Sequence, residues 1–209
     1  NREAIEAVLL RVSEMVCELP WLRELDINPL IVNEDGAVAI DTRIVIEHLQ
    51  PNAGRYDHMA IHPYPSHLTT HYQAHGKPAT TIRPIMPEDA ALEQAFIRKL
   101  SAQSRYFRFM NSIHELSPLQ LARTTQIDYD REMAFVAIMQ EDGQTLEVGA
   151  VRYAINPDGE SCEFAIVVAD DWQGTGLARY LMNTVNDTAK NYAGLKSMKG
   201  DFLADNQRM

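Results

Sequence analysis

The sequence predicts a mixed α/β protein, and three observations carry that expectation. A buried strand, CEFAIVV at 162–168, runs into a glycine turn that opens a helix over about 175–191. Elements in 81–205 follow the order β-α-α-β-β-β-α-β. Ahead of them stand a helix and a hairpin, too little to make a domain alone.

The first helix is predicted over 3–19, where Ile5, Val8, Leu9, Val12, Met15, Val16 and Leu19 recur at helical spacing and Pro20 stops it. ELDINPLIV at 24–32 and AVAIDTRIVI at 37–46 read as two strands around an NEDG turn. Residues 51–80 hold four prolines, two glycines and five of the seven histidines without a sustained period, and read as a linker. Some of these histidines have i, i+4 spacing, but Pro63 and Pro65 break the helix that would align them, so a fixed HPYP turn is the better reading than a metal site. TIRPI at 81–85 is a short strand, and Pro87, Glu88 and Asp89 open a helix running to about 100. SRYFRFM is helical, and Ser117 with Pro118 caps a helix over 118–126. Strands at 132–139 and 146–155 flank an EDGQ turn. After the helix with Leu177, Leu181, Val185 and Tyr192 on one face, a last strand is placed at about 197–203.

Composition narrows the function classes. The 209 residues include 19 Lys and Arg against 29 Asp and Glu, a net charge of -10, with no basic patch for nucleic-acid phosphates. Apolar runs reach about six residues, far short of a membrane span. Cys17 and Cys162 lie far apart, which suits a reduced cytoplasm better than a disulfide framework.

The chemistry centres on CEFAIVVADDWQGTGLARYLM, 162–182. Backbone N–H groups at the start of a helix lack intrahelical partners and are reinforced by its dipole, so they can cradle a pyrophosphate. Gly174 and Gly176 let the backbone come close and adopt unusual dihedrals. Taken alone, a GxG is also the mark of a plain strand-to-helix turn. Glu163 lies on the strand leading into the turn, with Ala165 and Val167 on its side and Cys162, Phe164 and Ile166 on the other.

QGTGLA at 173–178 resembles the Q/R-x-x-G-x-G/A signature of the GNAT N-acetyltransferases, with Gln173, Gly176 and Ala178 at its signature positions. HMAIHPYP at 58–65, TIRPIMPEDA at 81–90, SRYFRFM at 104–110, 115–138 and DDWQGTGLA at 170–178 are similar to bacterial Pat-type protein lysine acetyltransferases. These join a domain similar to NDP-forming acyl-CoA synthetases to a C-terminal GNAT domain.

The resemblance implies a GNAT fold with a mixed, mostly antiparallel sheet over 81–209, preceded at 1–50 by the end of an ATP-grasp domain. It implies acetyl-CoA as cosubstrate, held by the backbone of Ile166, Val167 and Val168 and by Gln173, Gly174, Thr175, Gly176, Leu177, Ala178 and Asn206. It implies Glu163 as the general base, with Cys162 as packing, and a lysine-bearing protein, such as an acyl-CoA synthetase, as acceptor. In the ATP-grasp segment it implies Asn28 and Asp41 as ligands of a nucleotide's magnesium, with ATP or ADP bound mainly upstream. The alternatives are an NDP-forming synthetase-like protein and an acyl-CoA-sensing module whose GNAT unit does not turn over. Asn1 in place of Met, and LADNQRM closing with Asp205 as the cap of a further helix, lead to the expectation that the chain begins inside a larger protein and that its GNAT domain is incomplete.

Overall fold

A computed structural model describes residues 1–47, 56, 58–59, 61–204 and 206. The chain divides into two units, Asn1–Pro63 and Tyr64–Met209. The expected cap at Asp205 and part of the expected linker lie outside the described residues. Among those described, no helix is long and apolar enough to cross a membrane.

In the first unit, helix α1 spans Arg2–Glu18. The Asn1 side chain caps it, accepting from the Ala4 N–H at 3.1 Å. The expected two-strand hairpin is present but interrupted. Strand β1 (Leu22–Ile27) pairs antiparallel with β4 (Thr42–Ile46), and β2 (Leu30–Val32) pairs with β3 (Ala37–Ala39). The break falls at Asn28–Pro29, a cis peptide, because proline has no N–H to carry the ladder on. The turn between the inner strands is an Asx turn, with Asn33 Oδ1 accepting from the N–H groups of Asp35 and Gly36.

The second unit is built on one six-stranded sheet. Its strands are β5 (Thr70–Tyr72), β6 (Thr80–Pro84), β7 (Glu132–Glu141), β8 (Gln144–Ile155), β9 (Ser161–Val168) and β10 (Ser197–Lys199). They lie side by side in that order, all antiparallel except the parallel pair β9–β10. Residues 64–80, read from the sequence as linker, belong to this unit and supply its edge strand. Three residues with a polar middle carry no detectable period, so β5 left no sequence signal. Strand β10 ends at Lys199, short of the expected 203.

Helices α2 (Ala90–Lys99), α3 (Ala102–Phe109), α4 (Pro118–Thr125) and α5 (Leu177–Asn191) complete the unit. Ser101 caps α3, and Ser117 with Gln120 forms a capping box on α4 with Pro118 in its first turn. Arg83 of β6 grips Asp89 at the entrance to α2 through two bonds of 2.7 and 2.6 Å, which ties helix to sheet. Leu177, Leu181 and Val185 of α5 are fully buried in the core with Phe135, Val151 and Trp172.

That packing requires a glycine on β8. A Cβ at Gly149 would lie 3.2 Å from Leu181 Cδ1 and 3.3 Å from the Val167 carbonyl oxygen. We expect Gly149→Ala to lower stability by about 1–3 kcal/mol, measured by chemical denaturation, because the methyl overpacks the α5–sheet contact.

Two carboxyl groups also meet in the interior. Glu93 of α2 and Glu147 of β8 are 6% and 5% exposed, and among the described residues Glu93 Oε2 and both oxygens of Glu147 have no hydrogen-bond partner. Two ionised carboxylates offer each other no donor; one proton lets Glu147 donate to Glu93. Burial first, and then the Glu93 charge, push the Glu147 carboxyl well above the usual range. Burial also raises Glu93, against the pull of Glu147's hydrogen bond and of Arg108. Burial and then Arg152 push Arg108 down to about 10.

The folded protein therefore holds a proton that the unfolded chain releases above the ordinary Glu range. Stability is fully present below that range and falls as pH rises toward the folded-state value. Denaturation between pH 5 and pH 9 should show the fall in the wild type and a flatter profile in Glu147→Gln, whose amide donates without titrating; equal slopes would contradict the shared proton.

Candidate functional site

Strands β9 and β10 pair for three residues and then part. Ser161, Cys162 and Glu163 lie opposite Ser197, Met198 and Lys199. At the next position the Phe164 ring occupies the space over Gly200, where a Cβ would overlap it. From 164 to 168, β9 is paired on the β8 side alone. The backbone groups of Ile166, Val167 and Val168 that face away from β8 thus border an open edge, which can accept an extended, amide-bearing arm as a sheet accepts an added strand.

Glu163 stands where that edge begins, and its side chain is exposed. Cys162 is fully buried, its thiol 3.8 Å from the Ser197 carbonyl oxygen, and burial pushes its pKa up. A thiol so placed packs; it does not ionise to attack.

The other end of β9 leads into the turn. A 3-10 turn covers Asp170–Trp172, with Trp172 buried, and α5 begins at Leu177. Gly174 and Gly176 both have positive φ, 77° and 89°, which L side chains rarely adopt. Among the described residues no partner satisfies the N–H groups of Gly174 or Gly176. Thr175 spends its hydroxyl on the Trp172 carbonyl at 2.6 Å. The first turn of α5 has no acidic residue and carries Arg179, so its dipole is not cancelled there. Leu177 is buried in the core and Ala178 is exposed, so Leu177 offers only its backbone to a ligand. Unpaired N–H donors, glycines without Cβ and a helix N-terminus fit a pyrophosphate. Asn206 lies past β10, its N–H donating to the Leu203 carbonyl at 2.9 Å.

The two acids before the turn do not simply face solvent. The Asp170 carboxylate accepts from the Ser101 N–H at 2.7 Å, the Ser101 hydroxyl at 2.8 Å and the Ser104 hydroxyl at 2.6 Å. Burial raises its pKa, but the bonds from Ser104 and Ser101 outweigh that and hold it below the usual carboxylate range. Gln173 joins the same group, donating to Ser104 Oγ at 3.3 Å. Asp171 lies 3.9 Å from Lys77 Nζ, which also sits 5.2 Å over the Trp172 ring. On the far side of the turn, the Tyr72 hydroxyl donates to the Thr175 carbonyl at 2.8 Å.

Sequence reasoning found the turn, its glycines and β9, and placed Glu163 on that strand. It missed Tyr72, Ser101 and Ser104 as supports of the turn, and Asp170 as the residue that holds the two serines, because each of these contacts spans 66 residues or more. Asn28 and Asp41 do come together in the first unit: the Asn28 N–H donates to the Asp41 carbonyl across the hairpin break. Both residues are exposed and supply two donor side chains, short of a hard cation's usual oxygen shell. Among the described residues no group of three or more His, Cys, Asp or Glu could hold a metal, so they give no support to a nucleotide's magnesium here.

Comparison with known proteins follows the same division. The Acetyltransferase (GNAT) family model matches residues 98–209, and the ATP-grasp domain model matches residues 1–46. The chain is 43% identical over 128 residues to Acetyltransferase PA5475 of Pseudomonas aeruginosa, covering 61% of this chain and 68% of that protein. It is 27% identical over 129 residues to Acetyltransferase Pat of Mycolicibacterium smegmatis, covering 61% of this chain and 38% of that one. A stretch of 46 residues is 41% identical to the beta subunit of the ADP-forming acetate–CoA ligase I of Pyrococcus furiosus, 22% of this chain and 20% of that subunit. Among solved structures, the GNAT domain of S. lividans PAT superposes with a TM-score of 0.64 at 25% identity, covering 70% of this chain and 85% of that one. The chain thus spans well under half of two of these three curated relatives. It belongs to the GNAT acetyltransferase family, in the Pat-type arrangement of an ATP-grasp segment followed by an acetyltransferase domain.

Proposed function

We propose that the protein transfers the acetyl group of acetyl-CoA directly to lysine side chains of a protein substrate, with Glu163 as general base. The observation that carries this reading is one open strand edge with a carboxylate at one end and free N–H donors at the other. From Glu163 to Val168 the strand spans about 16 Å at about 3.3 Å per residue. An extended pantetheine arm has a similar length. The Gly174 and Gly176 N–H groups would hold the pyrophosphate, and the backbone of Ile166–Val168 would align the arm.

When bound, acetyl-CoA supplies a thioester carbonyl open to attack by an amine. The chain's own residues must prepare that amine. A lysine ammonium has a pKa of about 10.4 and cannot attack until it loses a proton. The exposed Glu163 carboxylate can take that proton directly or through one water. Proton loss, attack and departure of the CoA thiol need no cysteine intermediate, which agrees with the burial of Cys162. The acidic balance of the chain favours a basic, lysine-bearing segment over nucleic acid or an anionic surface. An acyl-CoA synthetase in the cytoplasm is such an acceptor.

The test is Glu163→Gln in the full-length protein. Acetyl transfer to a lysine-bearing acceptor should fall about 10²–10⁴-fold, the usual contribution of a general base, while acetyl-CoA affinity stays unchanged by calorimetry. Near-normal turnover would remove Glu163 from the mechanism.

A further inference from the structure

We propose that Tyr72, which lies ahead of the segment matched by the GNAT family model, is a positioning residue for the cosubstrate: its hydroxyl fixes the Thr175–Gly176 peptide so that the Gly176 N–H faces the pyrophosphate. The proposal rests on the acetyl-CoA reading above.

The argument begins with the peptide plane. Thr175 C=O and Gly176 N–H belong to one planar trans peptide and point in opposite directions. Tyr72 Oη donates to that carbonyl at 2.8 Å. The N–H on the opposite side of the plane is thereby turned away from Tyr72, and no group among the described residues receives it. Local bonds hold Thr175 itself, whose N–H and hydroxyl both donate to the Trp172 carbonyl at 3.4 and 2.6 Å, but among the described residues Tyr72 alone donates to its carbonyl. Gly176 is free to populate both signs of φ, and Gly174 gives the turn the same freedom on its other side. A rotation of the Thr175–Gly176 peptide would present a carbonyl oxygen, an acceptor, to an anion.

The hydroxyl is itself firmly placed. Tyr72 is fixed in register opposite Thr80 on the sheet edge. Its ring lies 4.8 Å from that of Tyr180 on α5. The Tyr180 hydroxyl reaches back to the His71 carbonyl at 3.3 Å, so strand and helix are tied twice beside the turn. The approach is close enough that a Cβ at Gly176 would stand 2.8 Å from Tyr72 Oη. Gly176 is therefore required twice, for its φ and for the room it leaves the tyrosine.

The experiment is Tyr72→Phe in the full-length protein, which keeps the ring and removes the hydroxyl. Calorimetry is run with two probes: CoA, which carries the pyrophosphate, and pantetheine, which does not. CoA should bind about three- to tenfold more weakly, the effect of losing one positioned hydrogen bond, with pantetheine affinity unchanged. A variant that only loosened the fold would weaken both probes equally, and that result would overturn the proposal. Unchanged CoA affinity in the variant, beside measurable binding by the wild type, would sink the role of Tyr72 alone. A wild type that binds no CoA would sink the acetyl-CoA reading and this proposal with it.

Discussion

The parting of β9 from β10 after Glu163 is the constraint on which the second unit depends. Up to that residue the strands satisfy each other as any parallel pair does. Beyond it the ladder stops, and the Phe164 ring lies over Gly200. A sheet that stayed closed would have spent every backbone donor and acceptor of 164–168 on itself. The split leaves those groups open on one side, places a carboxylate at the fork, and lets the strand run on into the turn. Gly200 leaves room for that ring: a side chain there would have to displace it.

The turn at the other end is an assembled object more than a local motif. Its glycines supply the dihedrals, and its helix supplies the dipole. Its orientation is borrowed from elsewhere. Asp170 anchors it to the start of α3, Tyr72 to the sheet edge, and Trp172 to the core. The charges of the acids that precede it are held in place locally, Asp170 by three hydrogen-bond donors and Asp171 by the nearness of Lys77. Two carboxylates beside an anion site therefore do less harm than their charge suggests.

What could be read from the sequence was local chemistry. QGTGLA announced a strand-to-helix turn because glycine spacing and helical periodicity are properties of neighbouring residues, and α5 formed where the Leu177, Leu181, Val185 pattern placed it. The place of Glu163 on β9 was legible from the strand pattern, whereas its candidate role came from the family resemblance. The edge strand β5 was not, since Thr70–Tyr72 is too short for a period and its meaning comes from Tyr72 meeting Thr175, 103 positions later. Glu93 and Glu147 carry no local mark of burial in the sequence, because their burial is decided by the packing of α2 on β8. The interrupted hairpin was within reach: Pro29 stands in the middle of the strand assigned to 24–32, and a proline there forbids a continuous ladder.

The carboxylate of Asp170 also joins two segments that are distant in sequence. It caps nothing on its own helix; it receives the Ser101 N–H and hydroxyl at the head of α3 while holding the approach to the turn. A displacement of the turn would therefore have to break, or carry with it, the hydrogen bonds that hold the first residues of α3.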